Sequence, residues 1–178
     1  MKKPVYIVLL TSLLFLAGCT SATLEYEDDE IAAVVRGEEI TIGDLRFLYP
    51  DKGLLDKIEP TAKARLVVQE AKRLEIELSE DEQELLNTDV KTGYRSNRAF
   101  AEKQAEKFDM DPKEYYEEYE AIANEMIAYM SAYVTEMVDI AVDDDGEYDV
   151  NEFNKKADQL LDELFIKYAD EIDIRIQE

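Results

Sequence analysis

The chain has 178 residues and sets 43 Asp and Glu against 20 Lys and Arg, a formal charge of −23, with no histidine and one cysteine. Without histidine there is no Ser-His-Asp or Cys-His nucleophile system, no imidazole base and no His-ligated zinc, and the acidity excludes the basic footprint of a nucleic-acid binder. A single cysteine makes no internal disulfide, so packing has to stabilise the fold, and a chain this long can bury about 68–70% of its unfolded surface.

Lys2 and Lys3 precede a mostly apolar run from Val5 to Leu16, which ends in Leu16-Ala17-Gly18-Cys19. A positive start, a short apolar stretch and a small-residue end read as a bacterial export signal over residues 1–18. The run is shorter than the roughly 20 residues of a membrane-spanning helix. Its end resembles the lipobox of bacterial lipoproteins, which implies lipidation of the Cys19 thiol and cleavage just before it. Two acyl chains on one residue suffice for stable anchoring. The stretch from Cys19 to residue 29, with Glu25, Glu27, Asp28 and Asp29, is then expected to be a solvated acidic spacer.

Residues 30–178 contain no Pro/Gly-rich linker, low-complexity tract or internal repeat, and one domain is the economical reading. Ile31 to Val35 is a β-prone run, Arg36-Gly37-Glu38-Glu39 supplies a turn, and Ile40-Thr41 returns. Thr41 can cap a helix, with Asp44 reaching back to the cap nitrogen. Pro60 suits the first turn of a helix bearing Ala64, Val67, Val68, Ala71 and Leu74 at spacings of 3 and 4. Ser79 to Glu82 forms a capping box for the next helix. Asp111-Pro112-Lys113-Glu114 opens a long helix to about Val138. Another covers Val150 to Tyr168, after which Ile172, Ile174 and Ile176 alternate with polar residues as a half-buried strand does. Two short strands at opposite ends of a helical chain are unstable alone, so they are predicted to pair. The fold class is mainly α, closed by a small sheet of the N-terminal and C-terminal strands.

Two runs carry a family resemblance. Val34-Val35-Arg36-Gly37-Glu38-Glu39-Ile40-Thr41 with Asp44-Leu45, and the stretch from Gln69 to Glu82, resemble the N-terminal chaperone domain of SurA-type and PrsA-type extracytoplasmic foldases. They cover about residues 30 to 85. The family often has Asn before the turn glycine and Gly at the helix end, where this chain has Arg36 and Glu75, so two residues tolerant of positive φ are lost. Such foldases usually insert a parvulin-like prolyl isomerase domain with its own histidines. The region from Glu82 to Val150 is instead helical in pattern and has no histidine. The resemblance therefore implies the chaperone half without the isomerase half.

The long helix carries two stripes. Tyr115, Tyr119, Ile122, Met126, Tyr129 and Tyr133 follow spacings of 3 and 4 beside Ala123, Ile127, Met130, Val134 and Val138. The aliphatic stripe is expected to pack in the core and the Tyr/Met stripe to line a groove for unfolded polypeptide. The competing reading makes both stripes core or a homodimer seam. In Asp143-Asp144-Asp145-Gly146, Gly146 at the sixth position of an EF-hand loop would put Asp143, Asp145 and Glu152 at ligand positions. The first position is Ala141, so the segment reads as an acidic turn with at most a weak cation site. Lys72, Arg73, Arg95 and Arg98 read as surface partners of surrounding acids. No cofactor is expected.

These readings converge on a lipid-anchored, extracytoplasmic holdase that binds unfolded secreted polypeptides without catalysis. The alternatives are a diverged peptidyl-prolyl isomerase and an adaptor lipoprotein with one dedicated partner.

Overall fold

The computed structural model describes residues 25–87, 91–141 and 148–176. The export signal, Cys19, Asp143, Asp144, Asp145 and Gly146 lie outside the described residues.

The chain forms two strands, β1 (Ile31–Val35) and β2 (Glu38–Thr41), then helices α1 (Ile42–Leu48), α2 (Ile58–Arg73), α3 (Glu80–Leu86), α4 (Lys91–Ala105), α5 (Pro112–Met137) and α6 (Val150–Lys167), and ends in β3 (Ile172–Ile174). It is mainly helical, with an antiparallel sheet in the order β2-β1-β3. The strand of the C-terminal end therefore pairs with that of the N-terminal end, Ala33 opposite Ile174 and Val35 opposite Ile172.

Local chemistry sets these elements. The β1–β2 turn holds Arg36 at φ 49° and Gly37 at φ 82°, the left-handed pair that a tight hairpin requires. Arg36 accepts this conformation at a cost because its amide donates to the Glu171 carbonyl at 2.8 Å and its side chain is bound on two sides. Capping boxes start α1 at Thr41/Asp44 and α3 at Ser79/Glu82. Asp111 caps α5 and Asp149 caps α6 through their carboxylates. At the end of α2, Glu75 sits at φ 55° while its amide donates to the Lys72 carbonyl and that of Ile76 to Ala71. This is the paired helix-ending pattern that usually recruits glycine.

α2 is the spine. It packs on β1, β3, α5 and α6, and Ile58, Ala62, Leu66, Val67 and Ala71 join Val35, Ile42, Leu45 and Tyr133 in the main core. Leu74, predicted on its apolar stripe, is exposed instead, because the helix ends there. A second core between α4 and α5 holds Ala101, Ala105, Tyr115 and Tyr116, with Phe47, Phe100 and Phe108 around them.

The end of the acidic stretch keeps Glu25, Glu27, Asp28 and Asp29 exposed but docks on the domain: Tyr26 packs on the main core, Asp28 pairs with Arg46, and the Tyr26 carbonyl accepts from Arg46 Nη2 at 2.8 Å. The amide of Gly43 donates to the Asp28 carbonyl at 2.8 Å, and a Cβ at Gly43 would stand 2.9 Å from that oxygen, so glycine admits the approach.

Candidate functional site

α5 is about 39 Å long by its 26 residues and touches α2, α3, α4 and α6, so each of its faces meets a different environment. Its N-terminal half enters the aromatic core. Tyr115 is fully buried, stacked with Phe108 at 6.2 Å between centroids and tilted against Phe47 at 4.8 Å, and its hydroxyl donates to the Phe47 carbonyl at 2.6 Å. Burial pushes the phenol up to about 12. Tyr119 is half-buried against Phe100 at 5.3 Å. Further along, Tyr129 lies under the Lys72 ammonium at 5.0 Å, and Tyr133 is buried in the main core. Ile122 and Met126 are half-buried.

The division of labour between the stripes is therefore corrected. Tyr115 and Tyr133, assigned from sequence to a groove, are core residues, because α1, α2 and α4 close over that face. Ile127, assigned to the core, is 55% exposed. Met130 and Val134 are half-buried on the edge of the main core, and Met137 is 44% exposed. Ile127, Met130, Val134 and Met137 follow spacings of 3, 4 and 3, a continuous apolar line that the fold leaves partly open. Val138 alone of the aliphatic stripe is buried, at 9% exposure.

Two neighbours border this line. Along one edge, Asn124 Nδ2 donates to the Leu85 carbonyl of α3 at 3.1 Å. Glu82 of α3 faces Ser131; burial works against its charge, but the Ser79 amide and hydroxyl at 2.8 and 2.9 Å, with Ser131 beside them, hold its carboxyl below the usual range. Towards the far end, Lys156 of α6 donates to the Asp139 carbonyl at 2.8 Å, and Leu160, Leu161 and Leu164 pack on the same core as Met130 and Val134.

A second constellation was missed in the sequence. Glu70 of α2 is 2% exposed. Arg73 reaches it with Nε and Nη2 at 2.9 Å each, Arg36 with Nη1 at 2.9 Å, and the Tyr168 hydroxyl at 3.1 Å. Arg36 also binds Glu171 at 2.8 Å and stacks 3.9 Å above the Tyr168 ring. Arg73, opposed by burial and joined by Arg36 and Tyr168, holds the Glu70 carboxyl down to about 2. The network ties the β1–β2 turn, α2 and the end of α6 together. The signal was available: Glu70 falls three residues after Val67 on an apolar helical face, where an unpaired carboxylate is untenable.

Of the other sequence candidates, the Glu152 carboxylate pairs with Lys156 at 3.0 Å, while Asp143 and Asp145 lie outside the described residues. Lys72 pairs with Glu125 and Arg98 with Glu102. Among the described residues no group of three acidic or cysteine side chains is placed to hold a metal, and no helix is long and apolar enough to cross a membrane. Comparison with known proteins finds no matching family model, no matching curated protein and no matching solved structure.

Proposed function

We propose that the chain is a lipid-anchored extracytoplasmic holdase that shields apolar segments of unfolded secreted polypeptides on the open line of α5. The observation that carries this reading is the Ile127–Met130–Val134–Met137 line, an apolar stripe left partly exposed beside the buried Ala128, Ala132 and Tyr133 of the same helix. The Met130 and Met137 thioethers adapt to varied apolar partners because they are soft, unbranched and readily rotated, while Ile127 and Val134 add apolar area. The −23 charge keeps a protein with such a surface, and its complexes, dispersed. The foldase-like runs around Arg36 and between Gln69 and Glu82 support the same reading, and anchoring through Cys19 would place the activity where exported chains emerge.

The test is suppression of aggregation of two unrelated unfolded proteins, one proline-poor, by equimolar protein. Protection of both is expected. Protection of neither, with a single partner captured by cross-linking in native membranes, would favour the adaptor reading. Acceleration of proline isomerisation in a peptide would favour the isomerase.

A further inference from the structure

The surroundings of the α5 line are predominantly acidic, and the lysines nearest it, Lys72 and Lys156, are paired with Glu125 and Glu152. α3, which borders it through Asn124 and Ser131, carries Glu80, Asp81 and Glu82 in its first turn and no basic residue in its last. Ser131 stands four residues after Ile127 and three before Val134, so the Glu82 carboxylate lies at the edge of the apolar line itself. Glu80 and Asp81 are exposed beside it. On α6, Asp158, Asp162 and Glu163 outnumber the exposed Lys155 along the helix whose leucines share the core with Met130 and Val134. A second copy of the chain is a poor occupant, because it would bring the same −23 charge to an acidic border.

We infer that the open line of α5 selects apolar segments flanked by lysine or arginine, the apolar residues covering Ile127 to Met137 and the cations meeting the carboxylates of α3 and α6. The inference rests on the holdase reading and gives that site a client chemistry. Charge complementarity of this kind acts on encounter rate and on the rejection of acidic competitors more than on the apolar contact, and salt screens it.

The experiment uses two fluorescent peptides with one apolar sequence, flanked at both ends by lysines or by glutamates. Their binding to the purified protein is measured by anisotropy at low and high salt, about 0.05 and 0.5 M. The expected result is about tenfold tighter binding of the Lys-flanked peptide at low salt, narrowing to about twofold at high salt. Neutralising Glu80→Gln, Asp81→Asn, Asp158→Asn and Asp162→Asn together should remove most of that preference. Ile127→Ser with Met137→Ser should weaken both peptides. All six positions are exposed, so circular dichroism should report an unchanged fold. Equal binding of the two peptides, still weakened by Ile127→Ser and Met137→Ser, would overturn charge selection and leave the holdase standing. A lysine preference that survives those two serines would overturn the assignment to α5. Binding of neither peptide, with no protection of unfolded proteins, would remove the holdase reading as well.

Discussion

Replacing Glu70 by Gln removes the charge at the centre of the Arg36–Arg73–Tyr168 network while keeping its volume. The folded-state carboxyl is held down to about 2, against about 4.3 in an unfolded chain, a difference worth about 3 kcal/mol. Arg73 is half-exposed, so solvent screens its share, and about 2 kcal/mol is the expected loss at neutral pH. Because the folded pKa is depressed, this stabilisation is complete above the unfolded value and is lost as pH falls through the folded one. The gap between native and Glu70→Gln protein should therefore be about 2 kcal/mol at pH 7 and fall to about half of that at pH 3. Urea unfolding followed by circular dichroism at the two pH values measures it, and the other carboxylates largely cancel because both proteins carry them. A gap under about 0.5 kcal/mol at pH 7, or one that does not shrink in acid, would refute the view that an ionised, buried Glu70 ties the hairpin turn to α2 and α6.

Glu75→Gly should raise stability by about 0.5–1 kcal/mol, because glycine relieves the φ of 55° at the end of α2; thermal unfolding reads the shift. Tyr115→Ala should cost about 3–5 kcal/mol through the cavity it leaves beside Phe47, Phe100 and Phe108, and Tyr115→Phe about 1–2 kcal/mol through the orphaned Phe47 carbonyl, both by denaturant titration. Ultraviolet titration of the phenols should show Tyr115 and Tyr116 ionising last, near 12. Their raised values mean that the stability they contribute is present below the unfolded value of about 10 and is lost as pH rises toward 12.

The elements governed by short-range rules were legible in the chain. Thr41/Asp44, Ser79/Glu82 and Asp111-Pro112 each satisfy helix-end amides locally, so α1, α3 and α5 start where their caps stand. The alternation at Ile172 and Ile174 likewise located β3, and the instability of lone strands located its partner. Residues Arg36 and Glu75 were recognisable as places where glycine or asparagine would be easier, and both adopt positive φ. What the pattern could not assign was which apolar face of α5 meets which neighbour. The sequence pattern did not single out α4, yet its Phe100, Ala101 and Ala105 turn Tyr115 inward. α3 is too short to cover Ile127, which therefore stays open. The docking of Asp28 over Gly43 was hidden for the same reason: a run of acids reads as solvated until Arg46 appears beside it.

A photo-activatable cross-linker placed at Ile127, with a control at exposed Lys103 of α4, locates client binding when the protein is mixed with a chemically unfolded exported protein. The expected result is a covalent adduct from position 127 and none above background from position 103, lost when the client is folded. Equal labelling from both positions, or none from 127 while aggregation is still suppressed, would contradict the assignment of client binding to the open line of α5.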